Sequence, residues 1–167
     1  VRLDGGFAPG RIYEVVYVAH DPPLAGLGFT AVRDLASYLR FDPSSAFAAA
    51  RAIAIGSSQS GRFLRHFLHE GFNRDEAGRA VYDGAVIHIA GAGRGGFNHR
   101  FSHPGRVGNP FRNFAYPGDD APFASRPTPG GADDVPQPGI FARSQATGTL
   151  PRLFQINTGY EYWGRVA

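Results

Sequence analysis

At 167 residues the chain is long enough for one domain with a proper core, and 43% hydrophobic to 19% charged residues is the balance of a globular protein. No apolar run approaches the roughly 20 residues that cross a bilayer, so no membrane span is expected. The absence of cysteine excludes disulfides and thiol catalysis, and a net charge of +3 with no basic block interleaved with aromatics argues against a nucleic-acid partner.

All 17 basic residues are arginine, which with abundant Ala, Gly and Pro reflects genome bias more than a selected basic surface. The chain opens on Val1 without a signal-like apolar segment and closes on "EYWGRVA", which reads as the start of a helix. The expectation is the central part of a longer protein. Compartment and oligomeric state stay open.

In chain order, "RIYEVVYVA" (11–19) is rich in β-branched and aromatic residues and reads as a strand. "DPPLAG" breaks it. From Gly28 to Arg40, Val32, Leu35, Ala36 and Leu39 recur at helical spacing, and Pro43 ends the helix by biasing Asp42 away from helical geometry. "RAIAI" (51–55) is a continuously apolar strand of the kind buried on both faces. A helix over 59–70 follows, with Phe63, Leu64, Phe67 and Leu68 on one stripe and Gly71 as its C-terminal stop. "NRDEAG" (73–78) has the composition of a calcium loop without its spacing or terminal Glu, and reads as a polar turn. "GAVIHIAG" (84–91) is a third strand, also buried. From about 95 to 138 the pattern dissolves into Gly, Pro, Asn, Asp and Phe, a stretch whose length points to a lid-like or binding loop. A short helix over 139–147 and a fourth strand, "RLFQIN" (152–157), complete the pattern.

Strands separated by helices predict an α/β fold with a mostly parallel sheet, here of four strands, whose chemistry collects beyond their carboxyl ends. Ser58, Gly91 and Glu161 all fall there. Three serines crowd "IGSSQS". A strand-to-helix elbow strains its central residue, so small residues are needed two places before and after it. Ser57 is flanked by Ile55 and Gln59, and Ser60 has Arg62 on one side. Ser58, between Gly56 and Ser60, fits, although G-x-S-x-S departs from G-x-S-x-G by one small-for-small exchange. The alternative is a Ser-rich turn with Ser57 or Ser58 capping the helix. For an acid, Glu161 competes with Asp119, Asp120, Asp133 and Asp134, which lie in the irregular stretch.

Other candidates carry less. "GAGRGG" (91–96) satisfies G-x-G-x-x-G, but "FNHRFSHPG" is a poor helix start, and a dinucleotide needs a helix N-terminus there. A tight turn near the site is expected in its place, and no cofactor. His66 and His69 form H-x-x-H-E, not H-E-x-x-H, and lie off the apolar stripe, so they read as solvated helix-face residues and no metal is expected. His88 reads as a hydrogen-bonded residue within a buried strand. His99 and His103 follow the third strand at the functional edge. Trp163 reads as packing over the sheet edge.

"LDGGFAPGRIYEVVY", "DPPLAGLGFTAVRD", "GSSQSGRFLRHFLHEGFN", "HIAGAGRGGFNHRF" and "NTGYEYWGR" together resemble the bacterial "alpha/beta hydrolase domain" proteins of the α/β-hydrolase superfamily, over nearly the whole chain. The resemblance implies a partial α/β-hydrolase fold, Ser58 as nucleophile, the Gln59 backbone N–H as one oxyanion donor and Glu161 as triad acid. With Ser58 as nucleophile, the expected activity is hydrolysis of small-molecule esters. Superfamily order is Ser, acid, His. No histidine follows Glu161, and the last of the six is His103. His99 or His103 would break that order as base. The expectation is a serine esterase whose histidine lies outside this chain, or else a catalytically silent binding module that kept the elbow as structure.

Overall fold

The computed structural model describes residues 2–11, 13, 15–21, 23, 24, 26–47, 49–95, 97, 119–130 and 136–164. Helix α1 (Gly28–Phe41) precedes β1 (Ile53–Ser57), α2 (Gln59–His69) and β2 (Gly84–His88). Two short strands, β3 (Arg94–Gly95) and β4 (Asp119–Asp120), pair with each other, and α3 (Ala142–Ala146), β5 (Arg152–Ile156) and α4 (Gly159–Gly164) follow.

β1, β2 and β5 form one parallel sheet in that order. Its register puts Ile55, Val86 and Phe154 in one row and Ser57, His88 and Ile156 in the last row. Because side chains alternate along a strand, Ala54, Gly56, Ala85, Ile87, Leu153 and Gln155 share the opposite face. There the helices pack. Leu64, Phe67 and Leu68 of α2 join Ala54, Ala85 and Ile87 in the core, with Val81, Ile140 and Phe141. Phe29 brings α1 onto α2, its ring 4.8 Å from Phe63 and 5.3 Å from Phe72.

Buried polar groups tie the layers. Asn73 donates to Tyr82 O at 3.0 Å and Thr149 O at 2.6 Å and accepts from Tyr82 N at 2.9 Å, which fixes the turn after α2 against the lead into β5. Asp75 is buried too and accepts from Ser37 and Arg79, so its carboxylate in the "NRDEAG" turn is occupied by the protein. Arg65 reaches from α2 to Gln155 Oε1 (2.7 Å), Ala92 O (2.8 Å) and Phe123 O (2.9 Å), joining β5, the turn after β2 and the far end of the 95–138 stretch. With burial as the cause, its pKa is lowered to about 10.

Three expectations are corrected. The described residues of 11–19 form no strand: they are without regular structure, and Val16 and Val18 are exposed. Among the described residues the sheet therefore has three parallel strands, not four. β-propensity is realised only against a partner strand, and among the described residues this run has none. Nor are the strands buried on both faces, since Ile53, Ile55, Phe154 and Ile156 stay exposed. Within the 95–138 stretch, the described residues include the β3–β4 pair and a bridge between Thr128 and Gln137.

Candidate active site

The elbow is built from the backbone outward. Ser58 has φ 54° and ψ −117° between the end of β1 and the start of α2, a conformation non-glycine residues rarely adopt. Such a turn leaves no room beside it. A Cβ added to Gly56 would stand 2.4 Å from Ser60 O, and one on Gly61 would stand 3.0 Å from His88 O and 3.1 Å from the Ala90 methyl. The Ser60 hydroxyl accepts from Ser57 N–H (2.9 Å) and donates to Ser57 O (2.8 Å), closing the turn. Ser58 occupies the N-cap position of α2, yet its hydroxyl makes no capping bond. It is exposed, as is Gln59.

The strand ends beside the elbow are knitted to it. Ser58 N–H donates to His88 O at 2.9 Å, and Ile89 N–H to Ile156 O at 2.7 Å. Ile89 also has a positive φ, 45°, so β1 and β2 break into strained geometry at the same level. Gly91 N–H donates to the Asn157 side chain at 3.2 Å. After Gly91, "GAGRGG" enters β3 and not a helix, so it offers no helix N-terminus to a pyrophosphate. Among the described residues nothing accepts the Gln59 N–H, which stands at the positive end of α2.

Glu161 lies just past β5, in the first turn of α4. Its Oε2 accepts from Thr158 N–H at 3.0 Å and from the Thr158 hydroxyl, while Tyr160 N–H donates to Thr158 Oγ1 at 3.2 Å. This is a capping box, in which the third helical residue reaches back to the N-cap. The carboxylate thus has a structural task in "TGYE". Trp163 is exposed at 84%, its ring 4.8 Å from that of Tyr162, so the expected packing over the sheet edge is not seen.

The histidines fall differently from expectation. His66 is buried, not solvated, and its ring lies 4.9 Å from Phe29 and 6.3 Å from Phe97. His69 is partly buried and bonds Ile140 O through Nδ1 at 3.0 Å. Both pKa values are lowered, first by burial and for His66 next by the Arg94 charge, so both rings are neutral at neutral pH. Glu70 sits among them, 3.3 Å from His66 Nε2, 3.1 Å from Arg143 and 3.7 Å from Arg94. The apolar stripe was legible in α2, but its buried arc also takes in Arg65 and His66, because α1 and β3 pack on its flanks. His88 is hydrogen-bonded as expected but exposed, with Nδ1 3.0 Å from Ser57 Oγ. His99, His103, Asp133 and Asp134 lie outside the described residues, as do the side chains of Asp119 and Asp120. Among the described residues no group of three or more His, Cys, Asp or Glu is placed to hold a metal.

A strained serine on a strand-to-helix turn, at the carboxyl end of a parallel sheet, is the geometry of an α/β-hydrolase elbow. The family model "Alpha/beta hydrolase domain" matches residues 5–164. The chain belongs to the alpha/beta hydrolase domain family. No curated protein matches it, and no solved structure does. Within this hydrolase scaffold Gly56, Ser58 and Ser60, the residues the sequence motif names, form the strand-to-helix turn. The motif misses Gly61, whose lack of a side chain lets α2 approach β2, and the Ser57–His88 contact, which only strand register reveals.

Proposed function

We propose that the protein is a serine hydrolase acting on carboxylic esters of small molecules, with Ser58 as nucleophile. The observation that carries this reading is the backbone of Ser58, strained at φ 54° with its hydroxyl unused in helix capping. Strain of this kind persists only where the surroundings enforce it, and it costs on the order of 1–3 kcal/mol.

Ser58 Oγ attacks the ester carbonyl while a histidine base takes its proton, and the carbonyl oxygen becomes an oxyanion. The Gln59 N–H, without an acceptor among the described residues, donates to that oxyanion. Collapse expels the alcohol, which receives the proton from the base, and water then releases the acid from Ser58. Glu161 orients the histidine, for which its carboxylate must share its present bond to Thr158. Triad order places the histidine after Glu161, and none of the six in 1–167 lies there, so this reading assigns the base to none of them.

One observation favours a second reading, a catalytically silent binding module: the Glu161 carboxylate already closes a capping box. A fluorophosphonate probe with p-nitrophenyl ester hydrolysis, both on the full-length protein, separates the two. The esterase reading expects labelling and turnover that vanish in Ser58→Ala, a loss on the order of 10⁶-fold in a comparable triad. An unlabelled wild-type protein supports the binding module, and labelling that survives Ser58→Ala overturns Ser58 as nucleophile.

A further inference from the structure

We infer that Ser57 and His88 form a positioning pair for Ser58, acting from the face of the sheet opposite α2. The inference rests on the reading of Ser58 as nucleophile. Ser57 and His88 are register partners in the last row of the sheet, and their side chains share the face that carries Ile55, Val86 and Phe154. His88 Nδ1 lies 3.0 Å from Ser57 Oγ. The same residue's carbonyl accepts Ser58 N–H at 2.9 Å, and that oxygen also lies where a Cβ on Gly61 would come within 3.0 Å. His88 thus holds the elbow at two points, the side chain before the nucleophile and the amide of the nucleophile, and its carbonyl leaves no room for a side chain at Gly61 in the first turn of the helix after it.

The elbow stores strain, and a strained turn relaxes along whatever direction is least restrained. On the helix side the Ser60 hydroxyl holds Ser57 by its N–H and C=O. Those two bonds hold the Ser57 backbone, and the Ser58 N–H bond to His88 O ties the next amide to β2, but none of them reaches the outward-facing side chain. The Ser57 Oγ–His88 bond adds a restraint from that side, because it anchors the outward-facing side chain to the neighbouring strand. Without it the strained turn has one more direction in which to relax, and a misplacement of Ser58 Oγ on the order of 1 Å costs about 10²-fold in an oriented reaction. Neither Ser57 nor His88 touches the reacting atoms in this arrangement. Both act through the backbone.

The test uses the full-length protein with the fluorophosphonate probe and an ester substrate, rates being normalised to the titrated fraction of folded active sites. Ser57→Ala and His88→Ala should each lower kcat and the labelling rate by about tenfold or more, with KM within about twofold. His88→Asn, whose amide reaches the position of Nδ1, should recover most of the loss. A purely structural pair would lower thermal stability and leave normalised kcat unchanged. Should His88→Ala fail to fold, Ser57→Ala, which removes one hydroxyl, decides alone. Variants as fast as wild type, with Ser58→Ala inert, overturn the pair and leave the nucleophile standing. Labelling that survives Ser58→Ala overturns both.

Discussion

The two faces of the parallel sheet are made of similar residues and meet opposite environments. Beneath α2, Ala54, Ala85 and Ile87 are 8%, 3% and 1% exposed, whereas across the same strands Ile53 and Ile55 are 64% and 75% exposed. Yet the faces differ in side-chain size. The covered face has Ala54, Gly56 and Ala85 where the other has Ile53, Ile55 and Val86. Small residues let α2 come close, and closeness is what the elbow needs, since the helix must start immediately beyond Ser58 with Gly61 against His88 O and Ala90. Hydrophobic runs alone thus point to burial on both sides, whereas the small–large alternation marks where a helix sits tightly. The difference also separates two jobs. The covered face makes stability and aims the helix, and the other holds the Ser57–His88 pair.

The comparison is sharpest at the centre of the covered side. Phe67 is 0% exposed, between the sheet and the rings of Phe29, Phe72 and Tyr82. Phe67→Ala is expected to cost about 3–5 kcal/mol, read as a fall in denaturant midpoint at unchanged slope. A cost under about 1 kcal/mol would mean that this layer is not the principal core.

Next comes the elbow. Gly56→Ala drives a Cβ to within 2.4 Å of the backbone Ser60 O, so β1 and α2 must part. The expected cost is about 1–3 kcal/mol, with the proposed ester hydrolysis falling much further than folded protein does. Activity that merely tracks the folded fraction would show the close approach to be irrelevant to the chemistry.

These cases mark what the sequence made legible. Gly56, Ser58 and Ser60 could be read because a strained turn imposes residue size at fixed spacing, a local rule. The four helix and strand segments from 28 to 88 could be read because their periodicity is local as well. Residues 11–19 misled because strand propensity says nothing about whether a partner is present. His66 and His69 misled because the polarity of a side chain does not reveal what packs over it: Phe29 comes from far upstream, and Phe97 and Arg94 from beyond β2. The Ser57–His88 contact could not be read at all without the register of two strands separated by a helix. Glu161 was placed just past the last strand, but its engagement by Thr158 follows a rule, the capping box in "TGYE", that the sequence also displayed.

A smaller effect distinguishes the far side of the helical layer. The folded protein holds His66 neutral, its pKa lowered by burial and then by Arg94, with Glu70 opposing and His69 adding to the lowering. Below the usual histidine range the unfolded chain takes up a proton that the folded one resists. Stability is therefore full at neutral pH and falls as pH drops through about 6.5 toward the depressed folded value. In melting curves at about pH 7.5 and 5.5, His66→Gln should narrow the difference between the two. An equal difference in wild type and variant would show that the ring titrates freely and that the packing of Phe29 and Phe97 around it is looser than described.

The smallest effect is expected on the exposed face, and it probes the comparison itself. Ile55 occupies the middle of β1 with Val86 and Phe154 in its row, but at 75% exposure its side chain has little burial to lose. Only the apolar area removed from water contributes, at about 25 cal/mol per Å², so Ile55→Ala should cost under about 1 kcal/mol, part of it the lower β-propensity of alanine. Measured in the full-length protein beside Phe67→Ala, the pair gives a ratio between the two faces that does not depend on the absolute stability. A ratio of about three or more is what the described exposure requires. If Ile55→Ala instead costs about 2–4 kcal/mol, the value for an aliphatic side chain deleted from a core, then a second layer covers this face. In that case Ser57 and His88 would be buried beneath it. Their hydrogen bond would be shielded from water and worth more to the elbow, and the two faces would turn out to be two halves of one core.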